Sequence, residues 1–166
     1  MKKSILCFFA GCLLISTSAL AAENIFETSW WQKATIENVK EQFKNIPVSN
    51  IQNVDKKTPL MFAVSTVSDP NIIKIVLRST DNINLQDKDG KTALMYACQY
   101  ANPVIVNLLL RNNADVSLTD GQGKTALDYA QNNENVKNSS IIRKLHLYMS
   151  KINEREITPH KNLIHK

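Results

Sequence analysis

The sequence predicts an all-α fold in which helix-turn-helix units stack into a solenoid and are joined by β-hairpin-like turns. The pentapeptide Gly-Lys-Thr-Ala-Leu occurs twice, at Gly90–Leu94 and at Gly123–Leu127, with a shift of 33 residues. Pro70 and Pro103 are separated by the same distance, so the similarity extends beyond the pentapeptide. A fixed period in this range is typical of proteins built from stacked repeats.

The first 21 residues have the order of a secretory signal peptide. Lysines at positions 2 and 3 precede an apolar run over residues 5–15, and a small-residue segment ends with the sequence A-L-A at 19–21. This A-x-A pattern predicts cleavage between Ala21 and Ala22. The lysine-rich start is typical of bacteria, so we expect an exported protein that is periplasmic in a Gram-negative cell. An uncleaved anchoring helix is the alternative.

The basic charge of the chain is concentrated at its C-terminal end. Without the predicted signal, 18 basic and 15 acidic residues give a net charge of +3, and residues 143–166 alone carry six Lys or Arg against two Glu. The rest of the mature chain is therefore close to neutral and gives no argument for nucleic-acid binding. No second long apolar segment follows, so we expect no membrane association after cleavage.

Each repeat unit is predicted to contain two helices and a polar turn. In the first helix, Leu94 and Ala97 lie three residues apart on one face. Asn102 then provides an N-cap and Pro103 fits the first position of the second helix. That helix carries an apolar stripe and ends at Asn113, where Asn can adopt the left-handed conformation. The stripe consists of Ile105, Val106, Leu109 and Leu110.

The segment DKDGKTALMYACQYANPVIVNLLLRNNADVSLTD, residues 87–120, carries a specific pattern. Its matching positions are Asp87, Gly90, Thr92, Leu94, Ala97, Val106, Leu109, Leu110, Ala114, Asp115 and Val116. The segment resembles the ankyrin repeat, whose pattern is D-x-x-G-x-T-P-L-H-x-A-A, then V-x-x-L-L, then G-A-D-V. Ala93, Met95 and Asn113 stand where the family usually has Pro, His and Gly.

The signal-like start, the ankyrin resemblance and the polar C-terminal end together predict six segments. They are a signal peptide (1–21), an N-terminal segment with a degenerate capping repeat (22–53), two ankyrin repeats (54–86 and 87–119), a C-terminal capping repeat (120–149) and a basic flexible tail (150–166). In the degenerate repeat we expect Val39 and Phe43 in the second helix. The last repeat contains an insertion, Glu134 to Ser139.

The pentapeptide also resembles the end of a phosphate-binding P-loop, but its context excludes that reading. A P-loop needs a glycine five residues before its Gly-Lys-Thr, and those positions hold Leu85 and Leu118. We therefore interpret the block as structural. Its glycines permit a turn, its threonines cap the next helix, its alanines allow close packing and its leucines enter the core; the residues are Gly90, Gly123, Thr92, Thr125, Ala93, Ala126, Leu94 and Leu127.

The sequence contains no catalytic or metal-binding constellation, so we predict a protein that is not an enzyme and has no cofactor. The histidines, His146, His160 and His165, all lie near the C-terminus. Cys98 occupies the second alanine position of the repeat, and we expect it to be a small buried residue. An accessory protein that handles haem or another cofactor, with His146 or the tail histidines as ligands, is the alternative function.

The ankyrin resemblance implies a protein-binding scaffold whose turn tips and first helices form a concave strip. Lys57, Lys91 and Lys124 occupy the same place in three successive turns, which predicts a row of ammonium groups about 20 Å long and a partner with an acidic surface. Tyr100 is a candidate aromatic anchor. The predicted partner-binding residues are Asp55, Lys57, Ser65, Thr66, Lys88, Asp89, Lys91, Gln99, Tyr100, Gln122, Lys124, Asn132 and Asn133.

We expect a monomer that binds another exported protein. Two uses fit this expectation: a partner or maturation factor of a periplasmic enzyme, or an immunity protein that blocks a toxin.

Overall fold

A computed structural model of the protein describes residues 25–45, 51–100, 103–137 and 139–157. The predicted signal peptide with its cleavage site, the predicted N-cap Asn102 and the chain after residue 157 lie outside these ranges. The regular elements of the described residues are all helices, which confirms the all-α class. They are α1 (Thr28–Gln32), α2 (Ile36–Asn45), α3 (Pro59–Thr66), α4 (Pro70–Arg78), α5 (Ala93–Tyr100), α6 (Pro103–Arg111), α7 (Ala126–Gln131), α8 (Glu134–Lys137) and α9 (Ser140–Ile157).

The helices are arranged in two layers. The first helices of the units contact one another in the order α1, α3, α5, α7, and the second helices follow in the order α2, α4, α6, α9. Within the units, α3 packs on α4 and α5 packs on α6. In the N-terminal unit, the rings of Trp31 in α1 and Phe43 in α2 meet edge to face at 6.1 Å. This stacking of helix pairs is the predicted solenoid.

The sequence signals for helix starts act as predicted. Thr58, Thr92 and Thr125 precede α3, α5 and α7, and each hydroxyl accepts a hydrogen bond from the N–H three residues on, at 3.2, 3.3 and 3.4 Å. Asp69 caps α4 by accepting from the N–H of Asn71 at 2.8 Å. Both α4 and α6 begin at a proline, which lacks the N–H that a first helical position leaves unpaired.

The turns that join the units have a β-hairpin-like geometry with one left-handed residue each. Gly90 and Gly123 adopt φ values of 78° and 75°, and Lys56 adopts 58° at the same place in the first clear repeat. The turns are closed by hydrogen bonds such as that from the N–H of Asp87 to the carbonyl of Lys91 at 3.0 Å. Asn113, at the end of α6, also has a positive φ of 62°, as predicted.

The core runs between the two helix layers through the stacked units. Leu94, Leu109 and Cys98 are each no more than 1% exposed, and Val39 of α2 is also fully buried. Leu127 is only partly buried, although its position in the pentapeptide predicts a core residue. It lies on α7, which is the last first-layer helix of the described residues and therefore has a neighbouring first helix on one side only.

The C-terminal unit differs from the prediction in two places. The insertion at Glu134 to Ser139 contains the short helix α8, which buries Val136 completely. Helix α9 extends to Ile157, so residues 150–157, expected to begin a flexible tail, are helical in the structure. Met149 and Ile152 lie three residues apart and pack against the core, which extends the helix beyond the expected repeat.

Candidate functional site

Each turn tip is held by one polar side chain at its start. Asn53, Asp87 and Asp120 each use Oδ1 to accept hydrogen bonds from the N–H groups two and four residues on, at 2.8–2.9 Å. The lysines that follow, among them Lys57 and Lys91, are therefore anchored through their backbone N–H groups. The turns thus present these lysine side chains from fixed backbone positions.

Two tyrosines connect the turn tips to the first helices. The hydroxyl of Tyr96 donates to Asp87 Oδ2 at 2.7 Å, and the hydroxyl of Tyr129 donates to Asp120 Oδ2 at 2.5 Å. Burial and the hydrogen bond to Asp87 raise the pKa of Tyr96 above its ordinary value, and Tyr129 is shifted in the same direction by burial and Asp120. Both phenol groups therefore stay protonated at neutral pH, and their hydrogen bonds to Asp87 and Asp120 hold the two rings in place.

The lysines and tyrosines alternate along the first-helix layer. Lys57 Nζ lies 5.3 Å from the centroid of the Tyr96 ring. Lys91 Nζ lies 5.7 Å from the same ring and 4.8 Å from the Tyr129 ring. These distances are those of cation–π contacts, which contribute roughly 0.5–1 kcal/mol each at exposed sites. We call Lys57, Tyr96, Lys91 and Tyr129 the lysine–tyrosine ladder.

A cavity of about 280 Å³ lies at the N-terminal end of the ladder. We call it the first-helix cavity. It is lined by Thr28 of α1, Met61, Phe62, Ser65 and Thr66 of α3, Tyr96 and Tyr100 of α5, and Lys57 of the intervening turn. The Tyr100 side chain is 56% exposed, and its ring stacks on that of Tyr96 with 6.3 Å between centroids. The cavity therefore combines an apolar floor with one ammonium group.

A second depression, of about 730 Å³, lies on the turn tips. Its lining is polar and consists of Lys56, Gln86, Asp87, Lys88, Asp89, Gly90, Lys91, Asp120, Gly121 and Gln122. Successive tips are linked by backbone hydrogen bonds, from the N–H of Lys88 to the carbonyl of Asp55 at 3.0 Å and from the N–H of Gly121 to that of Asp89 at 2.8 Å. These bonds make the tips a continuous edge.

A family model of ankyrin repeats in three copies matches residues 32–120 and 60–155, and the first match alone spans more than half of the chain. The chain belongs to the ankyrin-repeat family. No curated protein sequence matched it. Ankyrin repeats indicate a scaffold for interaction with another protein, and members of the family are typically not enzymes.

Most of the predicted contact residues lie around the two depressions of the ankyrin array. Lys57, Ser65, Thr66 and Tyr100 line the first-helix cavity. Lys88, Asp89, Lys91 and Gln122 line the tip depression, and Asp55 joins this edge through an ion pair with Lys88 at 3.1 Å. Lys124 is exposed on the last turn. Two of the three lysines in the predicted row, Lys57 and Lys91, contact the ring of Tyr96.

Three predicted contact residues are placed differently in the ankyrin array. Gln99 is half-buried and lines neither depression. Asn132 is exposed, but its side chain donates to the carbonyl of Asp128 at 3.0 Å and so ends α7. Asn133 is only 8% exposed, and its Nδ2 donates to the carbonyl of Cys98 at 2.9 Å. Its side chain thus links two neighbouring ankyrin repeats, and partner binding by Asn133 stays a prediction.

The ladder tyrosines were not among the predicted residues, although the sequence contains a signal for them. Phe62, Tyr96 and Tyr129 occupy the same position of three successive ankyrin repeats, 34 and 33 residues apart. An aromatic residue at one register position predicts an aromatic stripe along the first helices. The rings of Phe26 and Phe62, 6.1 Å apart, extend that stripe to the N-terminal segment.

The remaining candidates for chemistry are isolated from one another in the ankyrin array. Cys98 is fully buried, and burial raises the pKa of its thiol to about 12, so it is not a reactive thiolate at neutral pH. His146 is exposed on α9. Within the described ranges, no three His, Cys, Asp or Glu side chains form a group suited to hold a metal ion. None of the helices described is long and apolar enough to cross a membrane.

Proposed function

We propose that the protein is an exported, non-enzymatic ankyrin scaffold that binds one periplasmic protein, as a monomer, through its turn tips and first-helix face. The observation that carries this proposal is the first-helix cavity, in which Lys57 and the exposed ring of Tyr100 flank an apolar floor. Exposed tyrosines in such surroundings are typical hot spots of protein interfaces. The bound protein is a periplasmic enzyme that needs a partner or maturation factor, or a toxin that an immunity protein blocks.

The lysines give the surface a local positive field on a body that is close to neutral. Such a field mainly accelerates encounter with an acidic partner and contributes less to lasting affinity. Tyr100 differs from the lysines, because loss of its packing area raises the dissociation rate. The row lysines therefore act mainly on the association rate, and Tyr100 acts mainly on the dissociation rate.

The first experiment identifies the partner. The chain from Ala22 onward is immobilised, exposed to periplasmic extract, and the captured proteins are identified by mass spectrometry. The Tyr100→Ala variant is run beside it, with Leu147→Ala on α9 as the control because Leu147 is also exposed, at 51%. We expect a protein that Leu147→Ala retains and Tyr100→Ala loses. Equal capture by both variants would place the binding face elsewhere.

The second experiment measures binding kinetics with the purified partner. Replacing Lys57, Lys91 and Lys124 by Gln should slow association and reduce its dependence on salt, while the fold stays intact by circular dichroism. A matched control replaces the exposed Lys40, Lys74 and Arg111, one on each of α2, α4 and α6, by Gln. It removes the same charge from the other layer. Association of the first variant at the wild-type rate in low salt would contradict a role of the lysines.

A further inference from the structure

The first-helix cavity has walls from three successive units. Its lining includes Thr28 of α1, Met61 and Phe62 of α3, and Tyr96 and Tyr100 of α5. The rings of Tyr96 and Tyr100 stack with an interplanar angle of 23°, and both line the cavity, where they form its ring wall. An aromatic wall beside apolar side chains suits a single inserted side chain, because such a side chain buries its area against already fixed groups.

The charge of the cavity lining further restricts which occupant fits. Of the described residues that line the cavity, Lys57 alone carries a full charge. Its ammonium group lies over the Tyr96 ring, so its position is partly fixed before anything binds. The ammonium group retains N–H donors for an incoming acceptor. Lys91, which contacts the same ring, provides a second positive charge along the direction of the stack.

We propose that the cavity receives a Phe- or Leu-sized side chain from an extended acidic segment of a partner protein, with a carboxylate next to that side chain bound by Lys57. This inference rests on the proposed function, because it names the part of the partner that meets the same face. A nucleic acid fits less well, since its affinity comes from a series of phosphate contacts and the cavity has one cation. Both the ring wall and the ammonium group are needed for recognition.

Three labelled peptides test the proposal by fluorescence anisotropy with the intact chain. The first contains Asp-Asp-Phe-Asp-Asp between Gly-Ser flanks, the second replaces each Asp by Asn, and the third replaces Phe by Ser. We expect the first to bind and each of the other two to bind at least tenfold more weakly. Absence of binding by the first peptide at millimolar concentration, or equal binding of the Asn peptide, overturns the proposal.

Variants of the protein assign the binding to the cavity. Tyr100→Ala and Lys57→Gln should each weaken the first peptide at least fivefold, and Lys57→Arg should stay within about threefold because it keeps the charge. Lys74→Gln on α4 removes the same charge from the other layer and should bind as the wild type. Equal affinity of Lys57→Gln and Lys74→Gln, or tighter binding of a dT10 oligonucleotide than of the peptide, overturns the proposal.

The captured partner separates this inference from the proposed function. If Tyr100→Ala fails to bind the partner and the acidic peptide displaces the partner from the wild-type chain, the proposed function and this inference are both supported. If Tyr100→Ala loses the partner and the peptide fails to displace it at saturation, the face is the binding surface but the acidic segment is the wrong occupant. If Tyr100→Ala retains the partner, the proposed function of this face fails first.

Discussion

At the scale of single residues, Lys56 has a backbone conformation that glycine usually adopts at this position of the repeat. Its φ of 58° matches those of Gly90 and Gly123, at 78° and 75°. A residue with a Cβ costs roughly 1–2 kcal/mol in this left-handed region. Replacement by glycine removes this cost, but glycine loses more backbone entropy on folding, which cancels part of the stabilisation. We predict that Lys56→Gly raises the free energy of unfolding by about 1 kcal/mol, measured from the midpoint of urea denaturation.

The two glycines provide the matched controls for that measurement. A methyl group built on Gly123 meets no atom within 4 Å, whereas one built on Gly90 comes within 2.9 Å of the backbone nitrogen of Gly121. Gly123→Ala should therefore show the cost of the conformation alone, about 1 kcal/mol, and Gly90→Ala a larger cost. A Lys56→Gly variant no more stable than the wild type would contradict the strain at this turn.

The last repeat contains a capping carboxylate whose ionisation links stability to pH. The hydroxyl and the N–H of Thr125 both donate to Asp128 Oδ2 at 2.7 Å, and these hydrogen bonds lower the pKa of Asp128. Because the folded-state pKa is depressed, the stabilisation is complete above the unfolded-state pKa of about 4 and is lost as the pH falls through the folded-state pKa. We predict that Asp128→Asn costs about 1 kcal/mol at pH 7 and that this difference shrinks in acid.

Urea denaturation at pH 7 and at pH 2–3 checks the acid prediction. Asp81→Asn, an exposed aspartate in the loop after α4, serves as the control and should match the wild type at both pH values. If Asp128→Asn loses the same stability at both pH values, its effect comes from packing rather than from the charged cap.

At the scale of the helices, stability is concentrated where the second helices pack into the stack. Leu109 of α6 is completely buried. We predict that Leu109→Ala lowers the free energy of unfolding by about 2–5 kcal/mol, because it leaves a cavity between α6 and its neighbours. The melting temperature measures this effect. Leu147→Ala on α9, where the side chain is 51% exposed, should change stability by less than about 0.5 kcal/mol.

Helix starts, turn glycines and the repeat register could be predicted because each depends on residues close together in the chain. Thr92 caps a helix that begins at the next residue, and Gly90 requires only its own backbone conformation. The burial of Asn133 could not be predicted in this way. It depends on the carbonyl of Cys98, 35 residues earlier, and on the path that α8 takes.

The contacts of the lysine–tyrosine ladder could not be predicted from the sequence for a related reason. A lysine row follows from the turn register, but the contact of Lys91 with both Tyr96 and Tyr129 depends on the spacing between neighbouring repeats. That spacing is set by packing of α5 on α7. The helical extension of α9 to Ile157 depends on the apolar side chains Met149 and Ile152 finding core surface to cover. Polar composition alone pointed to a flexible tail there.

At the scale of the whole molecule, the proposed export would decide which partners the scaffold meets. The basic, apolar and A-x-A order of residues 1–21 predicts that the mature chain begins at Ala22. N-terminal sequencing of the protein from the periplasmic fraction of its native host measures this directly. Protein that retains Met1 in the soluble fraction would contradict export by this route. Replacing Ala19 and Ala21 by bulky residues should block cleavage and serves as the control.

The links between repeats also determine how the chain can reach its native state. The side chain of Gln52 bonds to the carbonyl of Gln86, Gln86 bonds to Thr119, and Asn133 bonds to Cys98, spanning 34, 33 and 35 residues. Each link thus closes a loop of about one period, so each added unit requires the closure entropy of one such loop rather than of a longer one. Ordering can therefore spread from one unit to the next, as expected for a chain of low contact order. A segment need not wait for a remote part of the chain before it folds.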